Sequence, residues 1–206
     1  MNILCNPVEK KINLNGVEIR YFVAIPKVID FDVVLLHGMS FSADTWLEIG
    51  TVSVLCEVGF RVFAIDMPGF GKSGGKRLKR SFASEFLHRI LREIGALNPV
   101  LVGPSMGGGI ALLYAIRFDE LRGLVLIAPA GLNDPSIVDN LDKISNLPTL
   151  IFWGDKDRVF PLSMSEILAG KLVNSKIVVC KNAPHPCYLE ATEVFHEELL
   201  VFLNSI

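Results

Sequence analysis

Ser105 stands in Gly103-Pro104-Ser105-Met106-Gly107, a G-x-S-x-G pentapeptide whose small flanking residues permit a turn too tight for side chains. Pro99-Val100-Leu101-Val102 before it reads as a strand, and residues 110–116 after it read as a helix. That strand-turn-helix setting is what lets such a serine present its hydroxyl to a substrate. A serine at its ordinary pKa is a poor nucleophile, so it needs a base, a group to orient the base, and donors for the oxyanion. Each must come from the C-terminal end of a strand.

His185 follows a strand ending at Cys180 and lies in the loop Asn182-Ala183-Pro184-His185-Pro186, where the prolines keep the backbone out of either neighbouring element. A lone loop histidine is by default an ordinary polar residue. Here the other three histidines have plainer explanations, His88 and His196 within helices and His37 at a strand end, so His185 is the expected general base. The acid is expected in Trp153-Gly154-Asp155-Lys156-Asp157, where two aspartates are eligible. Asp157 is favoured, because a turn after Gly154 can project its carboxylate back toward the histidine loop; Asp155 is expected to hold loop N–H groups. The order Ser105, Asp157, His185 is a chain order in which such triads occur. For the oxyanion, the Met106 N–H opens the helix after the serine, where amides lack intrahelical acceptors. The Met39 N–H follows the tight turn His37-Gly38.

The elements that must position these groups alternate short β-branched runs with helical stretches, a rhythm that specifies a parallel sheet covered on both faces. Strands are expected at 33–36, 61–65, 100–102, 124–127, 149–153 and 176–180, and helices at 43–58, 82–94, 162–172 and 190–204. A hairpin precedes them, residues 10–14 and 17–24 turning at Asn15-Gly16, a pair suited to a type I′ turn. The expectation is one domain over 1–206, with residues 1–30 leading by the hairpin into an eight-stranded, mostly parallel, twisted sheet.

The 206 residues are 50% hydrophobic and 20% charged with a net charge of -2, ample for a buried core and without a general pull toward nucleic acid or anionic membrane. No apolar run reaches the length of a membrane helix and the start carries no leader pattern. Cys5, Cys56, Cys180 and Cys187 are widely spaced with no C-x-x-C, which reads as free thiols in a reducing compartment, hence a cytoplasmic protein. Cys187 is read as a packing residue. No metal and no cofactor are expected.

Gly69-Phe70-Gly71-Lys72-Ser73-Gly74 matches a dinucleotide fingerprint, but no amphipathic helix follows it and Glu93 falls within a helix instead of at a strand end. A phosphate-loop reading fails at Asp66, where its first glycine would be needed. The loop region nonetheless holds Lys72, Lys76, Arg77, Lys79 and Arg80. A solvated loop is the plain reading; the sharper one is that these cations steer an anionic substrate or a phosphate-bearing acyl carrier toward Ser105.

His37-Gly38, residues 66–73, the Ser105 pentapeptide and Gly154-Asp155-Lys156-Asp157, in this order, resemble the α/β-hydrolase superfamily over nearly the whole chain. Thr45-Trp46 with residues 37–42, and His185-Pro186-Cys187-Tyr188-Leu189, resemble more closely its small α/β-hydrolase-domain 14 group, the interacting factor B type. Gly103 departs from that group, which has serine or a similar residue there. The resemblance implies an α/β-hydrolase fold and a compact serine hydrolase of small acyl groups. Between Pro129 and Leu147 fewer than twenty residues are available, too few for a cap domain; one short helix is expected there, with Asp134 or Ser136 as N-cap and Pro135 near its start. The site is therefore expected to be open and shallow, lined by His37, Gly38, Met39, Phe41, Met106, Ala130, Val159 and Tyr188, and to suit short acyl groups on a bulky carrier. A carboxylesterase-like hydrolase is the leading reading. An acyltransferase using a thiol or amine acceptor and a non-catalytic interaction module remain alternatives, and the oligomeric state is left open.

Overall fold

The computed structural model describes residues 5–206. Strands β1 (Val8–Leu14) and β2 (Val17–Ala24) pair antiparallel. Asn15 and Gly16 join them at φ 54° and 84°, the two positive values a type I′ turn requires. β3 (Asp32–Leu36), β4 (Arg61–Ile65), β5 (Val100–Pro104), β6 (Gly123–Ile127), β7 (Thr149–Gly154) and β8 (Ser175–Cys180) complete an eight-stranded sheet in the order β1-β2-β4-β3-β5-β6-β7-β8. β2 pairs antiparallel with β4, and every pairing from β4 through β8 is parallel. β3, β5, β6 and β7 are buried along their whole length, which explains why they read as apolar runs without alternation.

Helices α1 (Asp44–Glu48), α2 (Thr51–Glu57), α3 (Arg80–Ile94) and α4 (Met106–Arg117) are followed by the short α5 (Pro135–Val138), α6 (Ser165–Ala169) and α7 (Cys187–Glu190), and by α8 (Thr192–Leu203). Val34 and Leu36 pack with Leu87 and Ile90 of α3 and Leu112 of α4. Their neighbours Val33 and Leu35 face Trp46 of α1, Leu55 of α2 and Phe195 of α8. The period of two along β3 thus assigns each residue to one of two helical layers.

Three expected helices are broken. The run 43–58 splits where Gly50 adopts φ 77°, a left-handed residue that ends one helix and lets the next start at a new angle. The run 162–172 becomes a 3-10 turn (Leu162–Met164) and α6. The C-terminal run starts earlier, as α7, and breaks at Ala191 with φ -122° and ψ 49°. In the connection from β6 to β7, Asp134 caps α5 by accepting from the Ser136 N–H at 3.0 Å, with Pro135 first in the helix, and a 3-10 turn (Leu141–Ile144) follows. No cap domain is present there.

The cysteine expectation is corrected. Cys5 is bonded to Cys56, with Cα atoms 5.6 Å apart across 51 residues of sequence, so Cys56 is not a free thiol and the argument for a reducing compartment loses its ground. Cys180 and Cys187 are free and buried. Among the described residues no helix is long and apolar enough to cross a membrane.

Candidate active site

The strand order reverses at β3, which lies between β4 and β5. In open parallel sheets this reversal opens a crevice beyond the C-terminal strand ends, and the loops after β3 and β5 carry Met39 and Ser105 to it. Ser105 joins β5 to α4 at φ 49° and ψ -112°, a conformation costly for a residue with a Cβ. Three hydrogen bonds hold it: its N–H donates to the Ile127 carbonyl at 2.9 Å, and its carbonyl accepts from Ala130 at 2.9 Å and Gly109 at 3.0 Å. A Cβ on Gly103 would sit 2.5 Å from the Gly107 carbonyl carbon, and one on Gly107 would sit 2.8 Å from the His37 oxygen. The pentapeptide glycines therefore let β5, α4 and the end of β3 meet backbone to backbone.

His185 Nδ1 lies 2.7 Å from Asp157 Oδ2. The other carboxylate oxygen, Oδ1, accepts from the Val159 and Phe160 N–H groups, both at 2.8 Å, and the Asp157 side chain is fully buried. Asp155 is exposed and its carboxylate accepts no hydrogen bond among the described residues. The loop-holding role expected of Asp155 thus belongs to Asp157, which combines it with the contact to His185. The two loops are locked together. Lys156 N–H donates to the Ala183 carbonyl at 3.0 Å, and Gly154 passes so close that a Cβ there would lie 2.6 Å from the Pro184 oxygen. Trp153 Nε1 donates to the Phe160 carbonyl at 2.9 Å, and the Phe160 ring meets His185 edge-on, centroids 5.2 Å apart. With a carboxylate facing Nδ1, the neutral imidazole carries its proton on Nδ1 and leaves Nε2 as an acceptor. Ser105 and His185 line one cleft, and Ser105 Oγ makes no hydrogen bond to His185.

The Met39 and Met106 N–H groups donate to no protein acceptor among the described residues, which leaves both free for a ligand oxygen. His37, expected in the cleft, is 1% exposed and stands behind its wall. Its Nε2 accepts from the Met67 N–H at 3.1 Å, so Nδ1 carries the proton and donates to the Gly38 carbonyl at 2.7 Å. Both ring nitrogens are spent on fixing the backbone that presents Met39, and burial pushes the ring's pKa down. Asp66, fully buried, ties the same loops: Oδ1 accepts from Ala43 N–H at 2.7 Å, and Oδ2 from Lys72 N–H at 2.8 Å and Arg20 Nη1 at 3.1 Å. Arg20 also forks onto Asp44 at 2.6 and 2.7 Å and holds that carboxyl down to about 2. In the glycine-rich loop, Gly69 N–H bonds the Gly74 carbonyl and Gly74 N–H the Glu18 carbonyl. Those amides close the loop on itself and on β2 and are not free to cradle phosphate.

The cleft holds about 340 Å³. Gly38, Met39, Phe41, Met106, Ala130, Val159 and Tyr188 line it with Ser105 and His185. Sequence reasoning missed Ser40, Arg80, Pro104, Phe160 and Pro186 among its walls. Met39 and Val159 are each 59% exposed at the rim, which makes the cleft open. Cys187 is fully buried and outside the lining, and burial pushes its thiol up to about 12, so it packs. Three of the five loop cations have distinct surroundings. Arg77 stacks on Phe70 at 4.4 Å, Lys72 lies out in solvent near Glu9, and Arg80 alone turns into the cleft.

The family described as alpha/beta hydrolase fold matches residues 33–144, the segment from β3 to the turn before β7. Protein ABHD14A of Mus musculus is 35% identical over 190 residues, 91% of this chain and 76% of that relative. The chain spans 65% of the Homo sapiens Protein ABHD14A, so that relative extends well beyond it. The "Putative protein-lysine deacylase ABHD14B" of Rattus norvegicus is 33% identical and covered at 96% in both chains. Among solved structures, a "predicted CIB-like hydrolase" from Thermoplasma acidophilum superposes with a TM-score of 0.91 at 28% identity, over 98% of this chain and 99% of that one. With its sheet order, its serine at the strand-to-helix turn and these relatives, the chain belongs to the alpha/beta hydrolase family, alongside ABHD14A and ABHD14B.

Proposed function

We propose that the chain is a serine hydrolase of small acyl groups, with Ser105 as nucleophile, His185 as general base and then acid, and Asp157 as the group that fixes the imidazole. The observation that carries this reading is the 2.7 Å contact of His185 Nδ1 with the buried Asp157 carboxylate, in a cleft shared with a backbone-strained Ser105. Ser105 Oγ attacks the acyl carbon while His185 Nε2 takes its proton, and the imidazolium is stabilised by Asp157. The oxyanion is received by the Met39 and Met106 amides. The tetrahedral intermediate collapses as the leaving atom takes the proton from Nε2. Water then repeats the sequence on the acyl-enzyme and releases the acid. The name of the rat relative, 33% identical, favours an acyl amide on a protein lysine, and the open rim agrees, because a lysine projecting from a folded surface can reach Ser105 without passing a cap.

Labelling with a fluorophosphonate tests the nucleophile. The wild type is expected to label and Ser105→Ala to remain unlabelled; an unlabelled wild type overturns the reading. Among ε-N-acyl-lysine peptides, chains of five carbons or fewer are expected to exceed octanoyl in kcat/KM, since a cleft of 340 Å³ has no deep tunnel.

A further inference from the structure

Arg80 opens α3, yet its side chain runs to the nucleophile's own supports. Its Nε lies 2.9 Å from where a Cβ on Gly109 would stand, and its Nη1 lies 2.5 Å from the equivalent point on Gly131. Gly109 is the residue whose N–H bonds the Ser105 carbonyl, and Gly131 follows Ala130, the other donor to that carbonyl. Two missing side chains thus make room for a guanidinium beside the elbow. Gly131 holds φ 100°, so glycine is required there twice over, for conformation and for space.

The guanidinium is under-used by the protein. Its one acceptor among the described residues is Asp134 Oδ2, at a long 3.4 Å from Nη1. Asp134 is itself engaged through Oδ1 by the Ser136 N–H at 3.0 Å and hydroxyl at 2.7 Å. Nε and Nη2 donate to no acceptor among the described residues, although the side chain is only 30% exposed. An arginine presents a planar fork of donors matched to a carboxylate, and Arg80 is the one permanently charged side chain lining a cleft whose other polar side chains include Ser40, Ser105 and His185.

The neighbouring cavities assign Arg80 to one side of the reaction. A 180 Å³ cavity, lined by apolar side chains together with Arg77 and Arg80, adjoins the cleft and shares Met39, Met106 and Arg80 with it, but not His185. On the opposite flank, a surface hollow shares Val159, His185 and Pro186 with the cleft, but not Arg80. The leaving group must depart on the flank of His185, which protonates it. The acyl group therefore extends toward Met39, Met106 and Arg80.

We infer that Arg80 is a specificity-determining residue that receives a carboxylate at the far end of the acyl group, so that the preferred substrates are monoacyl derivatives of short dicarboxylic acids, such as succinyl or glutaryl. The inference rests on the hydrolase reading above and moves the anion from a carrier into the acyl group. Each turnover consumes one water and releases the free dicarboxylate together with the protonated leaving group.

The test compares phenyl glutarate half-ester with phenyl valerate, whose acyl chains have equal carbon number and end in a carboxylate and a methyl, by phenol release corrected for spontaneous hydrolysis. Wild type is expected to prefer the glutaryl ester by about tenfold or more in kcat/KM, a preference that shrinks with added salt. Arg80→Met is expected to bring the ratio to one or below, and Arg80→Lys to recover part of it. The wild-type ratio alone decides the matter if Arg80→Met does not fold. Equal or greater turnover of the valeryl ester, or a wild type that labels with fluorophosphonate yet cleaves neither ester, overturns the inference and leaves the nucleophile in place. A wild type that neither labels nor cleaves overturns the hydrolase reading and the inference with it.

Discussion

Asp157→Asn isolates what the buried carboxylate does, because the structure dictates how the replacement must sit. Oδ1 of Asp157 accepts two backbone N–H groups and Oδ2 faces His185 Nδ1. An asparagine that keeps its oxygen at the Oδ1 position retains both amide bonds and turns its NH2 toward the imidazole. The flipped amide would set its NH2 against two N–H donors, leaving three donors without acceptors in a buried place. At about 1–3 kcal/mol for each lost backbone bond, the first orientation is favoured by roughly 2–6 kcal/mol, or thirtyfold and more. His185 must then accept at Nδ1 and carry its proton on Nε2, where it can no longer take the proton of Ser105. The expected loss in kcat is on the order of 10⁴, equivalent to about 5.5 kcal/mol of barrier. Thermal stability should fall by less than about 1 kcal/mol, since the loop keeps its two amide bonds. Steady-state turnover of a phenyl ester, with thermal melts on the same samples, reads both quantities. Asp157→Asn within tenfold of wild type, or Asp155→Asn equally damaging, would refute the assignment.

Gly103→Ala is expected to lower stability by about 1–3 kcal/mol and to slow fluorophosphonate labelling, because the new Cβ meets the Gly107 and Gly108 backbone at 2.5 and 2.6 Å; an unchanged melt together with an unchanged labelling rate counts against the packed elbow. Burial lowers the pKa of both His37 and His196 below 6.5, so below that pH the unfolded chain binds protons that the folded one refuses. Stability is therefore unaffected by these two groups above pH 6.5 and falls as pH drops from there toward their folded pKa values, by up to about 1.4 kcal/mol per pH unit for each. Urea unfolding from pH 7.5 to 5 measures the slope, and His196→Gln should reduce it; an unchanged or steeper slope contradicts the sign.

The parts of the site that were legible in the sequence are those where chemistry and backbone geometry demand the same residue. Ser105 between Gly103 and Gly107 is one, and His185 between two prolines is another. Asp157 was separable from Asp155 by reach, but its second task was not, since the Val159 and Phe160 amides converge on it only once β7 and the histidine loop are locked. His37 reads as a cleft residue because it follows β3 beside the turn that presents Met39. Its partner, Met67, lies 30 residues on and sits opposite it only through the β3–β4 pairing. In the sequence Arg80 reads only as one of five loop cations. The signal that could have found it is Gly109: the pentapeptide accounts for Gly107, and a further glycine inside the first turn of a helix asks for a space-filling neighbour. The Cys5–Cys56 bond joins positions 51 residues apart, a pairing that spacing alone does not encode. Gly50 and Ala191 broke helices whose apolar periodicity runs on past them, because periodicity records which face is buried and not whether the axis is continuous.

The short span from β6 to β7, with only α5 and a 3-10 turn in it, shifts the task of drying the reaction onto the substrate. A cap would expel water and strengthen every charge interaction at the elbow; here Met39 and Val159 form a rim without a roof. If the proposed acyl-enzyme forms, the molecule that carries the acyl group must supply that roof, and its bulk then decides how long water is kept from the intermediate. On the reading proposed above, Arg80 selects the acyl group, while the shape of whatever delivers it governs the dehydration around Ser105.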